Sequence, residues 1–140
     1  AINALAPFVL NARLRTLLEA SPAAAKFVVN VSAMEGKFYR YKSPDHPHTN
    51  MAKAALNMMT RTSAADFAKA GIYMTAVDTG WINDEKPAEK AAADASTHNF
   101  QTPIDEIDAA ARVLHPVFDG LATGAPLFGV FLKDYAESEW

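Results

Sequence analysis

The stretch HTNMAKAALNMM, His48 to Met59, reads as the front of a buried helix. Ala52, Leu56, Met59, Ser63 and Phe67 recur at helical spacing, and Met51, Ala55, Met58 and Thr62 form a second stripe. Two apolar stripes predict a helix buried on both sides, from about Thr49 to Ala70, with Gly71 closing it. The only charge in the quoted stretch is Lys53, and an alcohol, Thr49, stands one turn before it on the same helical face. The positive end of the helix dipole disfavours a lysine there. Two readings stay open: a lysine snorkelling at the protein rim, or a cation held to bind a ligand hydroxyl or tune a neighbour.

Outward from this helix, KFVVNVS (Lys26 to Ser32) and IYMTAVD (Ile72 to Asp78) are short β-branched runs bounded by turn signals, hence strands. Two strands joined by a long helix require a crossover, which predicts a parallel sheet covered by helices on both faces. Further upstream, Leu10, Leu14, Leu17 and Leu18 predict a helix over about Ala4 to Ala20, with Pro7 tolerated in its first turn. MEGKFYRYKSPDHPH, Met34 to His48, is a long irregular loop. Downstream, TGWINDEKP is a loop and Ala88 to Ser96 a weak helical turn. Thr102 is the expected N-cap of a last helix, with Pro103 at its first position and Asp105 in the capping-box place. Its core stripe is Ile104, Ile107, Ala111, Leu114 and Phe118; Gly120 and Gly124 are expected to break it, and PLFGVFLKDY holds a third strand. The expected unit is one domain over residues 1–135 with a loose tail at 136–140.

The bulk numbers fit one ordinary globular domain: 140 residues, half of them apolar, about a fifth charged, net charge -3. That balance offers no footprint for nucleic acid or a membrane surface. Without cysteine there is no disulfide framework or thiolate metal site, as suits a cytoplasmic protein. No apolar run approaches the ~20 residues of a membrane span. The sequence opens at Ala1 with no leader pattern and reads as a piece of something longer.

Ligands of open parallel sheets sit beyond the carboxyl ends of the strands. That singles out Ser32 to Gly36, Asp78 to Trp81 and the loop after the third strand. The run Asp45-His46-Pro47-His48 lacks helical ligand spacing and reads as a chance cluster in a solvated loop, so no metal site is assigned.

Together these pieces resemble the C-terminal half of the short-chain dehydrogenase/reductase family. NALAPF (Asn3 to Phe8) looks like the asparagine-bearing start of the family's helix before the active-site strand, and FVVNVSAMEG like its strand and serine loop. HTNMAKAALNMMTRTSA sits where the family carries Tyr-x-x-x-Lys, and YMTAVDTGWI where it has a strand ending in Pro-Gly beside the nicotinamide. The resemblance implies a Rossmann-like open parallel sheet with helices on both faces, incomplete at three strands. It also implies hydride transfer between NAD(P) and a small-molecule alcohol or carbonyl, and homo-oligomers built through the two long helices. In the family a tyrosine moves the proton, a lysine lowers its pKa and holds the ribose, a serine orients the substrate oxygen and an asparagine anchors a relay water.

Residue by residue, Asn3 and Lys53 match as catalytic positions. Thr49 stands in the tyrosine's place, and Ala33 in the serine's, with Ser32 beside it on the opposite strand face. Lys53, Asp78, Thr79, Gly80 and Trp81 are the implied cofactor-side residues; Thr79-Gly80 replaces Pro-Gly, and Asp84 stands where a threonine is usual. A phenol can be tuned toward neutrality by a nearby cation, whereas an aliphatic alcohol is far less acidic. Thr49 can hold a substrate oxygen but is no equivalent general acid. Tyr39, Tyr41, His46 and His48 offer substitutes from the long loop, or are simply solvated. No three glycines fit a dinucleotide-binding turn. The sequence therefore supports two readings: half of an NAD(P)-dependent oxidoreductase, binding cofactor weakly or not at all by itself and pairing with its missing N-terminal half, or a non-catalytic binding or assembly module.

Overall fold

The structure, a computed structural model, describes residues 1–82 and 103–140. Asp84, Thr102 and the weak helical turn at 88–96 lie outside the described residues. The elements are α1 (Leu5–Ala20), β1 (Lys26–Ser32), α2 (Pro47–Ala68), β2 (Ile72–Asp78), α3 (Glu106–Thr123), β3 (Phe131–Lys133) and β4 (Ala136–Ser138). The sheet order is β1-β2-β3-β4, with β1, β2 and β3 parallel. The α/β class and the parallel crossovers follow the sequence reading.

β2 is the central strand of the parallel part and is buried on both faces, as its unbroken apolar run requires. On one face Ile72 and Met74 pack with Ala64 and Phe67 of α2, and Leu18 of α1 joins them. The other face belongs to α3: a Cβ added at Gly120 would stand 3.1 Å from the Phe27 ring. Helices thus cover both faces.

Five details depart from expectation. Residues 136–138, expected in a loose tail, form β4 and pair antiparallel with β3. The turn between them is Asp134-Tyr135, both left-handed at φ 49° and 66°, the backbone of a two-residue hairpin turn. The cap of α3 is Asp105, whose side chain accepts from the Asp108 amide at 2.8 Å, so the helix starts beyond Pro103. It runs through Gly120 and stops only at Gly124. Finally, the leucine stripe of α1 is not core: Leu10, Leu14 and Leu17 are 56%, 45% and 69% exposed. The second stripe of α2 also faces outward through Met51 and Met58. Periodicity marks a helix's apolar face but does not say what covers it.

Polar links tie α1 and α2 to the sheet. Asn11 donates to Asn30 Oδ1 at 3.1 Å, and Asn30 donates to Thr60 Oγ1 at 3.0 Å. Thr60 passes the chain on to the Leu56 carbonyl at 2.9 Å. Arg15 bonds Asp66 at 2.6 Å and lies over the Phe67 ring.

Candidate functional site

The register places Ser32, Asp78 and Lys133 level with one another across the carboxyl edge of the sheet. Adjacent strands stand ~4.8 Å apart, so this row spans a narrow mouth. Ser32, Lys53, Asp78 and Gly80 lie on or beside it.

α2 reaches the mouth from one face. Its first turn starts at Pro47, with His46 left-handed at φ 55° ahead of it. Thr49 and Lys53 follow one turn apart on the same face, both half-buried. The Lys53 ammonium donates to the Val31 carbonyl at 3.0 Å, bringing the cation to the end of β1. The backbone of Lys53 is held from below. Ser32 Oγ lies 3.3 Å from the Lys53 carbonyl and donates to Asn57 Oδ1 at 2.5 Å. Ser32 is therefore buried beneath α2, acting as a strut for the helix. Ala33, next in the chain, is extended and leads into a short 3-10 turn, Met34–Gly36.

Gly36 makes that approach possible. A Cβ there would meet Lys53 C, Lys53 O and Ala54 N at 2.6, 2.7 and 2.8 Å, all helix backbone. The sequence reading included this glycine in the strand-end stretch Ser32 to Gly36 but gave it no role of its own.

Asn3 lies exposed in the turn before α1. Leu18 packs on the Ile72–Met74 cluster and Asn11 meets Asn30, so α1 runs antiparallel to β1. The start of α1 therefore points toward the carboxyl end of the sheet.

Beyond β2, Asp78 is buried and committed: one oxygen accepts from the Gly80 amide at 2.7 Å, the other lies 3.5 Å from the Lys133 ammonium. Asp78 thus shapes the loop rather than presenting a free carboxylate. Gly80 adopts φ 79°, and a Cβ there would meet Ile104 at 3.0 Å and Arg112 at 3.5 Å. Thr79 is half-buried, and Trp81 is 55% exposed beyond them. Arg112 in turn pairs with Asp134 of the hairpin turn, and Arg112 chiefly, through that hydrogen bond, holds the Asp134 carboxyl below the usual carboxylate range. Lys53 and Gly80 flank the mouth from the α2 and α3 sides respectively.

A shallow cavity of about 330 Å3 opens beside the start of α2, between the loop after β1 and Asn50. Glu35, Arg40, Tyr41, Lys42, Asp45 and His46 line it, a mixture of both charges. His46 and His48 are exposed with ring centroids 6.1 Å apart. Lys37, unremarked in the sequence, is 1% exposed.

No protein-family model matches the chain. An uncharacterised protein of Acanthamoeba polyphaga mimivirus is 37% identical over 103 residues, 69% of this chain and 22% of that protein. Among solved structures, the NADPH-bound carbonyl reductase from chicken fatty liver superposes with a TM-score of 0.59 at 18% identity, covering 99% of this chain and 54% of that one. The carbonyl reductase Sniffer of D. melanogaster gives a TM-score of 0.61 at 18% identity, with the same coverage of 99% and 54%. The chain thus has the fold seen in these reductases. It spans about half the length of the solved structures it matches and about a fifth of the curated relative.

Proposed function

We propose that this chain is the C-terminal, catalytic-side half of a short-chain NAD(P)-dependent oxidoreductase, acting on a small carbonyl or alcohol. The observation that carries the reading is Lys53: one turn inside α2, its ammonium brought to the end of β1, on the fold of carbonyl reductases.

When bound, NAD(P) supplies or accepts the hydride; the protein contributes position and proton. The chain has groups suited to the nicotinamide-ribose end: Lys53 on one side of the mouth and the Thr79-Gly80-Trp81 turn, bent by Asp78, on the other. It has no glycine-rich turn for the phosphates. We therefore assign strong cofactor binding to the protein together with its N-terminal half, and weak or no binding to these residues alone. Thr49 holds a substrate oxygen, Asn3 anchors water at the same end, and Ser32 positions Lys53 through its carbonyl. The remaining assignments are a cytoplasmic location, homo-oligomers through the outward faces of α1 and α2, and pairing with the N-terminal half.

The second reading, a non-catalytic module on the same fold, draws on Ala33 and Thr49, which leave the usual serine and phenol unfilled. Turnover separates the two. The full-length protein is expected to reduce carbonyl substrates with NADPH, and Lys53→Ala to lower kcat/KM by about tenfold to a hundredfold, the loss of a charge-assisted hydrogen bond. No turnover across a broad carbonyl panel would favour the module.

A further inference from the structure

A lysine in a loop reading KFYRYK is expected in water, yet Lys37 is fully buried. Its ammonium donates to Ser138 Oγ at 2.8 Å and to the Glu139 carbonyl, and lies 3.3 Å from the Tyr39 hydroxyl. It stands 3.9 Å from the centre of the Phe131 ring, against which Trp140 packs edge-on at 6.1 Å. Among the described residues no carboxylate pairs with it. A buried ammonium without an ion partner is retained only where hydrogen bonds and a ring face replace its water. Here, apart from the Tyr39 hydroxyl of its own loop, those partners come from the β3–β4 hairpin and the residue that follows it: Phe131 on β3, Ser138 on β4 and Glu139.

Lys37 directly follows Gly36, whose close approach to the Lys53 backbone fixes the loop's near end. Three residues further on, Arg40, Tyr41 and Lys42 line the cavity beside α2. The chain between these points passes through the buried amine, with Phe38 on its other side 89% exposed. Few other ties hold it, the Lys42 ammonium to the Glu35 carbonyl at 2.6 Å being one.

We propose that Lys37 is a positioning residue that clasps the segment 138–140 to the loop after β1, so that β4 sets the shape of the cavity at the head of α2. The loop and the hairpin then open and close as one unit. The cavity's mixed charges belong to a site whose form is governed from the other end of the chain. This inference does not depend on the redox reading.

Hydrogen exchange read by mass spectrometry on the full-length protein tests it with Lys37→Met, Ser138→Ala and the double variant. Each single change is expected to speed exchange roughly tenfold both in residues 37–46 and in residues 134–140, with β1 and β2 protected as before. Because the two changes break one link, the double variant should be no faster than the more affected single one. If Lys37→Met fails to fold, Ser138→Ala decides alone. Unchanged exchange in 37–46 on Ser138→Ala, or additive effects in the double variant, would overturn the proposal.

Discussion

Gly36 is the narrowest point of the site. Any side chain there would have to push the loop off the backbone of Lys53. Gly36→Ala is expected to cost about 2 kcal/mol, in the range of overpacking, measured by urea denaturation; a change within a few tenths would mean the loop is free to lift. Asn30 is the matching polar case. It bridges Asn11 and Thr60 while 6% exposed. Asn30→Ala should lose roughly 1–3 kcal/mol by stranding buried partners, whereas truncation of exposed Met58 should be nearly silent in the same assay. At this scale the sequence was partly legible. Spacing and resemblance pointed to Lys53 and the strand-end residues, and Lys53, Ser32 and Asp78 lie at the carboxyl end of the sheet. Lys37 was not legible, because a lysine among Arg40, Lys42 and aromatic residues has the composition of a solvated loop. The strut formed by Ser32 and Asn57 was hidden for a different reason: which neighbour a buried hydroxyl meets depends on the approach of a helix far along the chain.

Among the elements, the β3–β4 hairpin carries the clearest pH dependence. Arg112 bonds Asp134 from α3, and Lys133 adds a second cation. The Asp134 carboxyl is therefore depressed in the folded state. A depressed carboxylate contributes stability that is fully present above its unfolded pKa of about 3.9 and is lost as the pH falls through the folded value. The side chain is largely exposed, so the contribution is small. Asp134→Asn should lower the neutral plateau of the melting temperature slightly and converge with the parent protein in acid, flattening the acid limb by the same small amount; an unaltered acid limb would assign it to other carboxylates. The hairpin escaped the sequence because its turn uses Asp134-Tyr135 in left-handed conformations without a glycine. Helices α1, α2 and α3 and strands β1 and β2 were legible, since each repeats one period for several turns or alternations. The start of α3 was displaced because Thr102, Pro103 and Asp105 offer two successive starts, and Asp105 is the one that caps.

For the molecule as a whole, two surfaces lack cover among the described residues. β1 has β2 on one side only, a seven-residue edge with a bare backbone ladder. The outer face of α1 exposes Leu10, Leu14 and Leu17. Long apolar edges recruit further strands, and patches of this kind mark interfaces. The 140-residue chain on its own is expected to associate in native mass spectrometry at micromolar concentration; a stable dilute monomer would contradict this. The fold was legible to this extent because the order of elements fixes the crossovers, while the cover of each outer face depends on residues that no periodicity within this stretch encodes.

All of this converges on a cation, Lys53, at the carboxyl mouth of the sheet. Fluorescence titration of NADPH into the full-length protein tests that most directly. The account predicts saturable binding that Lys53→Ala weakens by about tenfold or more, the worth of one charge-assisted hydrogen bond. Binding indifferent to Lys53, or none in the full-length protein, would contradict it.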